Sequence, residues 1–223
     1  MDYIILYLLV LVIPLIATIN VNSTYSKYKN IANKKNLTGF DVARAILDAN
    51  GLNSMYIVET PGNLTDHYDP SQKVVRLSSD IYHGSSIASL AVAAHECGHA
   101  IQDKENYTFM RIRASLVPVV NFITYGAYIL FAISILLSLV DLLIVAVGAV
   151  LAGLIFQLVT LPVEFDASSR ALKQVQKLEL VTNTDLEGSK KVLTAAALTY
   201  VASVLSSLLN LVRLLMVYNN RRR

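Results

Sequence analysis

The chain has 223 residues, of which 54% are hydrophobic and only 16% charged, with a mean hydropathy of +0.51. An ordinary soluble domain holds roughly 45–50% apolar residues with glycine counted, so the composition points to a membrane protein. The net charge of +3 comes without the basic stripe or aromatic platform of a nucleic-acid binder, which excludes nucleic acid as a partner, and the single cysteine, Cys97, excludes an intrachain disulfide.

Charged residues collect in two blocks, 27–113 and 164–191, and leave long uncharged runs between them. The first run, residues 3–21, is apolar apart from Thr18 and Asn20. As a helix rising about 1.5 Å per residue it nearly crosses a hydrocarbon core of about 30 Å. It reads as a signal anchor rather than a cleaved leader, because it opens on Asp2 instead of a basic residue and outruns the roughly 7–15 apolar residues of a signal peptide. Residues 22–116 turn polar and form the first half of a folded domain. Thr38 with Asp41 resembles a capping box, followed by Phe40, Val42, Ala45 and Ile46 at helical spacing and a stop at Asn50-Gly51. Residues 55–59 read as a strand, and 64–68 with 73–77 as a hairpin turning at Asp69-Pro70-Ser71-Gln72. Ser85 or Ser86 can cap a further helix that carries Ile87, Leu90, Ala91 and Ala94 and ends near Gln102.

Residues 117–140 and 142–163 are two more runs of spanning length, parted only by Asp141, which predicts a tight helical hairpin. Residues 164–191 return to a polar, helical pattern and supply the second half of the folded domain. The last apolar run, 192–218, contains Arg213 near its end, where the side chain can snorkel; a half-buried helix packed on the others is its alternative. Lys27, Lys29, Lys34, Lys35, Arg111, Arg113, Arg170, Lys173, Lys177, Lys190 and Lys191 all fall on one side of this arrangement, which the positive-inside rule assigns to the cytoplasm. Arg221, Arg222 and Arg223 would then emerge on the opposite face if the fourth run crosses.

The chemistry concentrates in His95-Glu96-Cys97-Gly98-His99. Histidines four apart on a helix lie about 40° from one another around the axis, so both imidazoles can grip one ion, and zinc suits neutral imidazole. Glu96, between them, is placed to act as general base on a zinc-activated water that attacks a peptide carbonyl, and then to protonate the leaving amine. Cys97 points away from both rings and reads as packing, while Gly98 permits another backbone to approach beside the metal. A catalytic zinc takes a third protein ligand. Glu164, just beyond Pro162 at the end of the third apolar run, is the first choice, with Asp166 and His67 competing; Ser168, one turn on, shares its face and can bond a ligand. His67 and Tyr68, on the strand before the motif helix, are candidate hydrogen-bond donors to the oxyanion of a tetrahedral intermediate.

The chain resembles the YugP-type membrane zinc metallopeptidases nearly end to end. The likeness rests on Thr38-Gly39 with Val42-Ala43-Arg44, on Leu64-Thr65-Asp66-His67-Tyr68-Asp69-Pro70, and on Val74-Val75-Arg76-Leu77-Ser78. It continues through Ala93-Ala94-His95-Glu96-Cys97-Gly98-His99-Ala100-Ile101-Gln102, Thr160-Leu161-Pro162-Val163-Glu164-Phe165-Asp166-Ala167-Ser168, and residues 195–200. More distantly, Glu164-Phe165-Asp166-Ala167-Ser168 is similar to the Glu-aromatic-x-Ala-Asp signature of HtpX-type membrane proteases, from which it departs at Ser168. The resemblance implies peptidase activity, zinc and a membrane; it supplies no substrate.

Together these readings predict a mainly α membrane protein with about four transmembrane helices and a small α+β zincin-like catalytic domain facing the cytoplasm. Its expected cofactor is one Zn²⁺ per chain, its partners a protein or peptide substrate and the lipid bilayer. A gluzincin-like endopeptidase is the leading function. An intramembrane site-2-type protease fits less well, because residues 87–94 before the motif are too short to span; a non-catalytic metal-binding membrane scaffold has no need of Glu96.

Overall fold

The computed structural model describes residues 2–137 and 143–221; the hairpin expected at Asp141 and the terminal Arg222 and Arg223 lie outside them. The described chain forms two compact units. One draws on Met1–Thr18, Arg111–Leu161 and Leu198–Arg223, so far as these are described, and the other on Ile19–Met110 and Pro162–Ala197.

The first unit consists of the apolar parts of four helices, α1 (Asp2–Lys29), α5 (Thr108–Leu137), α6 (Leu143–Lys177) and α7 (Asn183–Arg221). All four are long and apolar enough to cross a membrane. Their large side chains face outward: Ile4 is 67% exposed, Phe122 80% and Ile144 60%. A soluble protein does not present contiguous apolar surface on this scale, and lipid is the solvent that accepts it. Inside this unit α7 meets α1, where the Ser206 hydroxyl donates to the carbonyl of Val10 at 2.7 Å. Arg213 donates to Asn210 Oδ1 and lies over the ring of Tyr7, so its charge is engaged within the unit.

The second unit holds α2 (Gly39–Ala49), β1 (Tyr56–Thr60), β2 (His67–Asp69), β3 (Val74–Ser78), α3 (Ser79–Tyr82) and α4 (Ile87–Lys104), with the polar ends of the long helices. Thr38 caps α2 through a reciprocal box with Asp41, and Ser86 caps α4 by accepting from the Ser89 N–H. The sheet order is β1-β3-β2, with β1 parallel and β2 antiparallel to β3. Asp69 accepts from the N–H groups of Ser71 and Gln72 and closes the expected turn. The strand before it is shorter than its sequence pattern suggests, because Leu64 has a positive φ of 56° and Asp66 turns its carboxylate onto the N–H and hydroxyl of Ser78. Val42, Ala43, Ile46 and Leu47 of α2 pack with Leu77 of the sheet and Leu90, Ala93 and Ala94 of α4, all 1% exposed or less.

Residues 143–177 form one helix, which carries both the third apolar run and the start of the polar block that follows it. α6 passes through Pro162 without breaking, and the reason lies in a stripe at intervals of four: Val163, Ala167, Ala171 and Val175 are all fully buried. That stripe extends the helix well beyond its apolar half by packing it in the second unit.

Thr38→Ala removes half of the α2 capping box. It should cost about 1 kcal/mol of stability, read as a lowered thermal midpoint in detergent with metal content unchanged.

Candidate metal centre

α4 presents His95 and His99 on one face, with their rings 4.7 Å apart and nearly perpendicular. Opposite stands Glu164 of α6, whose Oε2 lies 3.3 Å from His95 Nε2 and 3.6 Å from His99 Nε2. The approach is possible because of Gly98. A Cβ at this position would stand 2.5 Å from the carbonyl oxygen of Ala167, a separation that no side chain tolerates. Gly98 against Ala167 thus brings two helix backbones together where Glu164, one turn before Ala167, must reach both rings.

The three side chains offer one ligand atom each, all within 4.8 Å of one another, and Glu164 and His99 are buried. Metal–ligand bonds of about 2.0–2.2 Å place tetrahedral ligand atoms about 3.3–3.6 Å apart, so the carboxylate-to-imidazole distances suit zinc. Burial disfavours an imidazolium at His99, yet hydrogen bonding to Glu164 and the charge of Glu96 outweigh it and raise the pKa.

The remaining ring nitrogens are also engaged. His95 Nδ1 lies 3.2 Å from the hydroxyl of Ser168, the partner expected from its place one turn beyond Glu164. His99 Nδ1 lies 3.0 Å from Oε1 of Gln102, a fully buried residue whose amide donates to the Val163 carbonyl and to Asp166. Gln102 was not legible as a site residue, although its spacing of three from His99 puts it on the same face. Asp166, a competing ligand in the sequence, instead accepts from Gln102 and Arg170.

Glu96 is buried, and its Oε2 accepts from the backbone N–H of Tyr68 at 2.9 Å. The Tyr68 phenol donates to Asp103, and burial together with that carboxylate pushes its pKa up. Strand β2 therefore contacts the motif glutamate through its main chain, and the Tyr68 hydroxyl is engaged elsewhere. His67 is exposed, with Nδ1 2.7 Å from the carbonyl of Thr65, and it is not part of the three-ligand cluster. Cys97 lies on the far side of α4, with Sγ 3.7 Å from the carbonyl of Ala43, and burial pushes its thiol pKa up.

A family described as "Putative neutral zinc metallopeptidase" matches residues 3–219. The chain belongs to this family. Among curated proteins it is similar to "Putative membrane protease YugP" of Bacillus subtilis (strain 168), with 44% identity over 206 residues, or 92% of each chain. No solved structure matches. Family membership and the four apolar helices make this a multi-pass membrane protein of the zinc metallopeptidase class.

Gly98→Leu should drive α6 away from α4 and leave the purified protein with less than a tenth of wild-type zinc by elemental analysis; Gly126→Leu, which meets no neighbouring atom within 4 Å, should leave the content unchanged.

Proposed function

We propose that the protein is a membrane-anchored zinc endopeptidase in which His95, His99 and Glu164 hold one zinc ion and Glu96 is the general base. The observation that carries this reading is the convergence of two imidazoles and a buried carboxylate from a distant helix, with a second glutamate held beside them. When bound, zinc polarises the scissile carbonyl and makes a water molecule acidic enough to lose a proton near neutrality. Glu96 takes that proton. The Tyr68 N–H fixes one oxygen of its carboxylate and so leaves the other to receive the proton and pass it to the departing amine. Gln102 and Ser168 keep the two imidazoles turned toward Glu164.

Two choices inside this reading have separate support. Peptides outside the bilayer are favoured as substrates over spanning helices, since α4 has no apolar window of spanning length and carries its histidines beside the polar Gln102, Asp103 and Lys104. A cytoplasmic site is favoured by Lys27, Lys29, Lys34, Lys35, Arg170, Lys173, Lys177, Lys190 and Lys191, which all belong to the unit that holds the cluster.

Glu96→Gln should retain one zinc per chain, consistent with a three-ligand catalytic site, while peptide cleavage falls by about 10²–10⁴. Cleavage at the wild-type rate would remove Glu96 from the mechanism. A chelator should abolish wild-type cleavage and added zinc restore it. Because Cys97 is the single cysteine and is buried, Lys34→Cys and Lys177→Cys provide topology probes. Both should resist an impermeant maleimide in intact cells and react after lysis; labelling of intact cells would reverse the orientation.

A further inference from the structure

We propose that Gln102 is a positioning residue that selects the metal-facing nitrogen of His99 and sets the register between α4 and the turn of α6 that carries Glu164. This rests on the reading of His95, His99 and Glu164 as a metal site.

The argument starts from a buried amide. Gln102 has no measurable exposure, and an amide so placed must find partners for both its ends. Nε2 lies 2.8 Å from the Val163 carbonyl and 2.8 Å from Asp166 Oδ2. A carbonyl and an ionised carboxylate only accept, so the donor end of the amide must face α6; the flipped amide would press Oε1 against both oxygens. Oε1 is therefore the atom 3.0 Å from His99 Nδ1, and as a carbonyl oxygen it can only accept. Gln102 therefore calls for the proton of a neutral His99 on Nδ1, at 3.0 Å, against the longer 3.6 Å pull of Glu164 on a proton at Nε2, and so keeps Nε2 as the nitrogen for a metal.

The same side chain acts on the other half of the cluster. Val163 precedes Glu164, Asp166 follows it by two residues, and one amide holds both. Asp166 is steadied in turn by Arg170, which also pairs with Glu105 and lies over the ring of Tyr107, so the network ends at the segment that leaves α4. Ser168 does not impose the same selection on His95, because a hydroxyl both donates and accepts. Gln102 thus specifies a donor at His99 Nδ1, whereas Ser168 specifies none at His95 Nδ1.

Gln102→Met keeps the volume and removes the polar ends. In metal-free protein at alkaline pH, nitrogen-15 spectra of labelled histidine, assigned with His99→Asn, should show wild-type His99 protonated on Nδ1 and Gln102→Met shifted toward the Nε2–H form. The zinc dissociation constant of Gln102→Met, from competition with a chromophoric chelator, should rise about 10–100-fold. An unchanged tautomer or an unchanged affinity would overturn the proposal. Gln102→Leu serves if the methionine variant does not fold: a shift toward the Nε2–H form supports the role, and an unchanged tautomer overturns it. Absence of zinc binding in the wild type would defeat the peptidase reading, whereas the tautomer measurement, made without metal, would still decide the role of Gln102.

Discussion

The close approach of Gly98 in α4 to the carbonyl of Ala167 in α6 is the constraint on which the arrangement of the three-residue cluster depends. Helices whose contact residues carry ordinary side chains pack with axes about 8–10 Å apart, and a glycine opposite an alanine allows a closer crossing. Glu164 is one turn from that contact and is short enough to reach both imidazoles only if the contact holds. The buried stripe of Val163, Ala167, Ala171 and Val175 extends the same contact along α6. Gln102 and Ser168 then link the two helices on either side of the cluster.

Much of this arrangement is written in local signals. The Thr38–Asp41 box, the Ser86 cap, the turn at Asp69 and the histidine spacing are contacts between residues close in sequence, and sequence patterns report such contacts well. Glu164 stood out because a carboxylate next to a long apolar run is costly unless something needs it. Features that depend on distant partners were less accessible. Nothing in the sequence around residues 56–60 and 74–78 announces that β1 and β3 pair in parallel. The buried stripe that carries α6 past Pro162, Val163, Ala167, Ala171 and Val175, lies among charged residues that mask it in the sequence.

The polar residues near the cluster teach a related lesson. Tyr68 and Asp166 attracted attention as titratable groups, yet Tyr68 contributes a main-chain N–H and Asp166 braces an amide. Gln102, which has no charge to draw notice, touches both sides of the cluster. Side-chain chemistry read from a sequence locates groups that can react; it is less informative about groups that hold reactive ones in place, since almost any polar residue can do so once buried.

The long α6 also bears on when the protein becomes competent during its synthesis. His95, Glu96 and His99 are all made before α5 and most of α6, whereas Glu164 lies beyond the apolar stretch that begins α6. A nascent chain that ends anywhere before that glutamate offers only a pair of imidazoles, a far weaker grip on a cation than a closed set of ligands. On the proposed reading, a complete set of three ligands is then reached only after the third apolar helix has been made.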